Sequence, residues 1–333
     1  KFLQQSNLPC TAFTAQPLKA IKESIHGLPK APEGNPSSPQ RDLKDKIQDP
    51  DNSILYSILT LVPFPFKIYL AGNTLFLAPR GPKDPVLDCI PFLMKNIENI
   101  HAISIELAES SLTEESFNIL LLFLWELKKL VDLKINLSGS AYSFEVVNKL
   151  IHGFLYLPNL ISLAIDLSNM KIKGREKEED ILDSLTTLFT YLKNLKNLDI
   201  KCDGQDIFQN IDSPITKFSK SLISSPKLSS LNLSFVSCGA NDETLRTLSS
   251  HLSSLSELTM INLCFSRSKE ITDVGIHYIS NLISKLKGLN QVILAFHECN
   301  LIGDLALTRL SQSIGLLQNL KTLRLTLGAT DIK

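Results

Sequence analysis

Histidine and cysteine are the residue types here with the widest chemical repertoire, and their spacing limits what they can do. His26, His101, His152, His251, His277 and His297 are dispersed along 333 residues, and Cys10, Cys89, Cys202, Cys238, Cys264 and Cys299 include no Cys-x-x-Cys pair. His297 and Cys299 lie close together with Cys264 upstream, but three such ligands lack the fourth that a tetrahedral zinc site requires. The sequence holds no Gly-x-x-x-x-Gly-Lys phosphate loop, no Gly-x-Gly-x-x-Gly turn and no Gly-x-Ser-x-Gly nucleophile elbow. These absences predict a protein that is not an enzyme, with no metal and no cofactor. Cysteines without a pairing framework predict a reduced, intracellular setting.

Residues able to recognise a partner are better represented, and a recurring apolar phrase positions them. The phrase is Leu-x-x-Leu-x-Leu-x-Leu/Phe, in eight copies, beginning with Ile100/Ile103/Ile105/Leu107 and ending with Leu320/Leu323/Leu325/Leu327. Its second positions, Ile103, Leu133, Leu163, Leu198, Leu231, Ile261, Val292 and Leu323, recur every 30 to 35 residues, the mark of stacked structural repeats. Period-two alternation inside each copy predicts a short strand, and a 3.6-residue period after it predicts a helix. The helices are predicted over 114–129, 144–154, 179–192, 214–224, 242–252, 273–286 and 305–316. Ser111 with Glu114 has capping-box spacing, Ser213 precedes Pro214, and Asn241 precedes Asp242 and Glu243, where a helix dipole favours acids. One strand with one helix cannot bury its apolar stripe alone, so the repeats must stack, parallel strands inside the curve and helices outside.

The strand phrase, with helix openings such as Ile271-Thr-Asp-Val-Gly275 and Leu301-Ile-Gly-Asp304, resembles leucine-rich repeats of the ribonuclease-inhibitor type over about residues 70–330. The resemblance implies an α/β leucine-rich-repeat solenoid, a horseshoe with strands on the concave face and helices on the convex face. The repeats are longer than the common 20 to 29 residues, and the closing polar residue falls at position eleven of the phrase. Those positions hold Ser110, Ser140, Met170, Gln205, Cys238, Ser268, Cys299 and Thr330. All but Met170 can hydrogen-bond to turn backbone, and Asn169 is expected to act in its place.

Alternation turns the phrase leucines inward and leaves the residues between them on the concave face. The first four rows there are polar with mixed charge, whereas Met260, Cys264, Ile293 and Ala295 form an apolar cluster beside Asn262, Gln291 and Arg324. Exposed apolar surface of this kind predicts a partner site. A second candidate is the segment Phe117–Leu127, apolar on nearly every side. Phe117, Leu120, Leu121, Leu124 and Leu127 form its core stripe, and Ile119, Leu122, Phe123 and Trp125 are expected to point outward or sideways, toward another chain or the N-terminal arm.

Basic and acidic residues number 34 each, for a formal net charge of +0, so neither direct nucleic-acid binding nor attraction to anionic membrane is expected. The longest apolar stretch, Ile54 to Leu70, is broken by Ser57, Thr60, Pro63, Pro65 and Lys67 and makes a poor membrane span. Residues 1–53 are rich in Pro, Ser, Asn, Gln and Lys and are expected to form an extended arm without a fold of its own. Residues 54–99 read as a degenerate capping repeat, with Leu70, Leu75 and Leu77 in the register of the next copy, and 100–333 as the array. No helical pattern follows the last phrase, and that terminal face is expected to dock on a partner. Lys1, Lys19 and Lys22 open a stretch without acids, so a mitochondrial address stands beside the cytoplasmic one. The functional expectation is a protein–protein interaction scaffold, a structural or accessory subunit whose partners are other protein subunits. The resemblance adds two alternatives: a regulator of an enzyme, of the GTPase-activating or inhibitor type, and a substrate-recognition adaptor.

Overall fold

The strand phrases form because their leucines alternate with residues that tolerate solvent, and each becomes a strand of five residues. The computed structural model describes residues 66–71, 74–79, 100–110, 120–121, 123–124, 127–171, 181–205, 207–208 and 214–332. In chain order the strands are β1 (Phe66–Ala71), β2 (Thr74–Pro79), β3 (Ala102–Glu106), β4 (Asp132–Asn136), β5 (Ser162–Asp166), β6 (Asn197–Lys201), β7 (Ser230–Ser234), β8 (Met260–Cys264), β9 (Gln291–Ala295) and β10 (Thr322–Thr326). They form one sheet in sequential order, parallel from β2 to β10. Pairing is in phrase register throughout: Leu133 faces Leu163, Leu198 faces Leu231, and Leu263 faces Leu294. A slip of one residue would turn every leucine to the wrong face, so burial holds the register.

Helices return the chain between strands: α1 (Phe144–Gly153), α2 (Ile181–Tyr191), α3 (Pro214–Leu222), α4 (Asp242–Leu252), α5 (Asp273–Lys285) and α6 (Asp304–Gly315). Their apolar faces meet the phrase leucines in one continuous core. N-terminal orphan amides are met by Ser143 Oγ, which accepts from Val146 N, by Asn241 Oδ1, which accepts from Thr244 N, and by Thr272 Oγ1, which accepts from Val274 N. Acids in the first turn also fasten neighbouring repeats. Asp242 accepts from Thr272 N (2.8 Å), Thr272 Oγ1 (2.7 Å) and Gly275 N (2.9 Å), and Asp273 accepts from Gly303 N (2.7 Å). A Cβ at Gly275 would fall on Asp242 Oδ1 well inside van der Waals contact, which is why glycine stands there.

The turn after each strand has the same backbone in every repeat. Glu109, Gly139, Asn169, Gly204, Ser237, Arg267, Glu298 and Ala329 all have positive φ, between 53° and 70°, and six of them are not glycine despite the cost of a Cβ in that region. The N–H groups of Glu109, Gly139, Asn169, Gly204, Ser237, Arg267 and Glu298 each donate to a carbonyl of the following repeat at 2.7–3.0 Å, which compensates that strain. The next residue points inward and forms the ladder. Ser140 Oγ donates to Leu107 O (2.6 Å), Gln205 Nε2 to Leu167 O (3.3 Å), Cys238 Sγ to Cys202 O (3.0 Å) and Cys299 Sγ to Phe265 O (3.3 Å), each reaching back one repeat. Ser110 and Thr330 bond within their own turns, and Ser268 Oγ is buried without a partner. Asn169 does not take the place of Met170: it occupies the left-handed turn position, facing solvent. Met170 joins the core, and the longer Gln205 side chain supplies a donor to both Leu167 O and Met170 O.

Two expectations are corrected at the N-terminal side. Leu75 and Leu77 pair with Ile103 and Ile105 as the phrase register requires, but Leu70 lies on β1, antiparallel to β2, opposite Leu75. Only Gly72 and Asn73 separate the two strands in sequence, a composition that favours short hairpins over repeat turns. Phe123 is buried rather than outward. Leu120, Phe123, Leu124 and Leu127 fall at i, i+3, i+4 and i+7, the spacing of one helical face, and all four are in the core. Ile119, Leu122 and Trp125, the 1–53 arm and the Ser111 capping box lie outside the described residues. At the far end, Leu323 of β10 and Leu305, Leu307 and Leu316 around α6 are exposed.

Candidate functional site

The sheet face turned away from the helices carries the recognition candidates, and strand register sets their neighbours. On β8, β9 and β10 the side chains form three lines: Met260–Gln291–Thr322, Asn262–Ile293–Arg324 and Cys264–Ala295–Thr326. Adjacent strands lie about 4.8 Å apart, so Ile293 sits at the centre of this grid with Asn262 and Arg324 on either side. All six residues on β8 and β9 are half-buried, and Arg324 is exposed. The seven concave residues singled out from sequence thus share one surface, an aliphatic centre inside a mostly polar rim, the anatomy of many protein interfaces. Ser230 Oγ lies 3.8 Å from Met260 Sδ, and Cys264 Sγ lies 3.7 Å from Ser266 Oγ.

Under β7, β8 and β9 the last apolar position of the phrase is aromatic: Phe235, Phe265 and Phe296. Phe208, Phe235, Phe265 and Phe296 follow one another with ring centroids 5.2, 5.7 and 6.2 Å apart, and the latter three are fully buried. This spine backs β7 to β9 with rigid rings rather than flexible leucines.

The other half of the face is polar. Asn136 Nδ2 donates to Glu106 Oε2 (2.9 Å), and Lys201 Nζ stands 3.8 Å from Asp166 Oδ2. Asp199, between them and the patch, has a buried oxygen without a hydrogen-bond partner. Burial pushes its carboxyl above the ordinary aspartate range, Asn232, Lys201 and Lys134 draw it back down, and Asp166 pushes it up. A carboxyl whose folded pKa is raised favours the folded state below the unfolded pKa, and that contribution is lost as pH rises through the folded value. Asp199→Asn should therefore raise the melting temperature at pH 7 and leave it unchanged at pH 3, which calorimetry at the two pH values checks.

Among the described residues no group of three or more His, Cys, Asp or Glu could hold a metal ion. The His297–Cys299 pair is taken up structurally. Cys299 is a buried ladder residue whose thiol is pushed up by burial, and His297 Nε2 lies 3.2 Å from Glu298 on the surface. No helix of the described residues is long and apolar enough to cross a membrane.

The fold is an α/β leucine-rich-repeat solenoid: among the described residues, nine parallel strands in sequential order, helices on one side and a side-chain ladder at the turns. No protein-family model matches the chain, and no curated protein matches it. Solved structures it is similar to include a Bacteroides fragilis protein from a structural-genomics effort, at 15% identity and TM-score 0.43, covering 97% of this chain and 83% of that one. Another is the complex of Rad7 and Elc1 in yeast, at 17% identity and TM-score 0.42, covering 69% and 57%. A Leptospira interrogans leucine-rich-repeat protein aligns over 90% and 89% at 13% identity and TM-score 0.25. At such identities nothing that those proteins bind is carried to this chain.

Proposed function

We propose that the chain is a non-enzymatic interaction scaffold, a subunit of a larger protein assembly, that receives a partner protein on the concave face of β8 to β10. The observation that supports this most is the grid centred on Ile293. An aliphatic side chain stands on a solvated sheet face, ringed by Met260, Asn262, Cys264, Gln291, Ala295 and Arg324 and braced by the phenylalanine spine. Burying Ile293 and Met260 against a partner contributes up to about 1.5–3 kcal/mol per side chain, and Arg324 adds a fork of donors at the rim.

The test is purification from the native source, followed by affinity measurement with the partner so identified. Ile293→Arg places an unpaired charge at the patch centre and should weaken binding at least about a hundredfold, with the melting temperature within a few degrees of the parent. Undiminished binding by a folded Ile293→Arg protein would assign the partner to another face.

A further inference from the structure

The turns that precede the strands carry a charge pattern that the zero net charge conceals. Ile161 N donates to Val131 O (2.8 Å), Lys196 N to Ile161 O (2.8 Å) and Ser229 N to Lys196 O (2.9 Å), so these residues stand in line across successive repeats. Lys129, Asn159, Asn194 and Lys227, each just before a phrase's first leucine, form a second line beside them. A depression of about 450 Å³ lies between the lines, with Val131 and Ile161 on its floor and Lys129, Lys196 and Lys227 around it. Ile161 is exposed. Among the described residues none of these three lysines makes an ion pair; Lys227 Nζ donates only to Asn194 Oδ1 (2.9 Å). The second line continues into Glu257, which ends the basic run.

We propose that this edge of the solenoid is a docking groove for an extended acidic segment of a partner protein, one that carries an aliphatic side chain between its carboxylates. The unpaired ammonium groups supply the charge complementarity, and the Val131–Ile161 floor supplies a seat that a purely electrostatic surface would not have. Among the described residues no aromatic ring and no arginine lines the groove, so these supply none of the stacking surfaces on which single-stranded nucleic acid is held. The surface is concave, lined by Val131 and Ile161 with three lysines, a shape that suits an extended chain better than the plane of a membrane. The groove shares no residue with the Ile293 grid and does not depend on that reading.

Fluorescence anisotropy on the full chain tests this with a short labelled peptide of glutamates interrupted by leucines. Saturable binding is expected, weakened by added salt, reduced when the leucines become serines, and about tenfold weaker when Lys196→Glu and Lys227→Glu are combined. Both lysines are solvent-facing, so the variant's circular dichroism should match the parent's. Absence of binding, equal binding of the serine peptide, or unchanged affinity of the double variant overturns the proposal. So does tighter binding of a uridine oligonucleotide or of phosphatidylserine vesicles at the same salt. Self-association of the chain that the double variant abolishes would give the groove to a second copy instead and also overturn it.

Discussion

Leu263→Asp is expected to abolish cooperative folding of the array, while Asn262→Asp, one residue away, leaves it folded. Leu263 is completely buried between Leu233 and Leu294, and Asn262 is half-buried on the opposite face beside Asn232 and Ile293. Removing a buried leucine costs about 2–5 kcal/mol, and a carboxylate in its place must be desolvated without a partner, at several kcal/mol more. The total rivals the whole stability of an ordinary domain, about 5–15 kcal/mol. In a solenoid each repeat depends on its neighbours, so damage at β8 also uncouples β9 and β10 from the rest. Urea denaturation followed by circular dichroism should show no cooperative transition for Leu263→Asp and a shift of under about 1 kcal/mol for Asn262→Asp. Equal loss in the two variants would mean that the inward and outward residues are exchanged.

Phe265→Ala is expected to lower stability by about 3–5 kcal/mol, the range for truncating a buried phenylalanine. Phe265 stands between Phe235 at 5.7 Å and Phe296 at 6.2 Å, so its loss interrupts the spine, separates Phe296 from Phe235 and opens a cavity beneath β8. The backbone carbonyl of residue 265, which accepts from Cys299 Sγ, is retained in the variant, so the loss is one of packing. Phe265→Leu keeps most of the volume and should recover more than half of the loss, as measured by the urea midpoint. If partner binding depends on a braced Ile293, the alanine variant should also bind more weakly at temperatures where it is still folded. A loss of under about 1 kcal/mol would mean that the spine is not a supporting element.

Much of this architecture was legible in the order of residues. Strand positions, their register and six of the helices follow from where leucines and their equivalents recur, because alternation and the 3.6-residue period leave one arrangement that buries them. The turn ladder was legible as well: a small or polar residue recurs at the same phrase position, and in Ser140, Gln205, Cys238 and Cys299 it reaches the preceding turn. Phe123 shows where this reading stopped. In a segment apolar on nearly every side, several stripes fit the 3.6-residue period, and the chosen one placed Phe123 outward or sideways although i, i+3, i+4, i+7 spacing also joined it to Leu120, Leu124 and Leu127. The β1–β2 hairpin was missed because an apolar phrase does not reveal chain direction, and the Gly72–Asn73 pair was the signal for reversal.

What the sequence by itself determined is the repeat: its length, its strand-and-helix unit, the inward and outward side of each strand residue, and hence the members of the Ile293 patch. These are local properties, because periodicity along the chain is enough to state them. Only the tertiary structure decided which residues of different repeats become neighbours at the turns. The basic groove of Lys129, Lys196 and Lys227 over Val131 and Ile161 is invisible along the chain, where its members are separated by dozens of residues of balanced charge. The same holds for the clasp of Asp242 on Thr272 and Gly275, and for the positive-φ turns that glycine, asparagine, serine, arginine, glutamate and alanine all adopt. In each case the free energy comes from hydrogen bonds or packing between adjacent repeats, and stacking must exist before those contacts can select a residue's conformation.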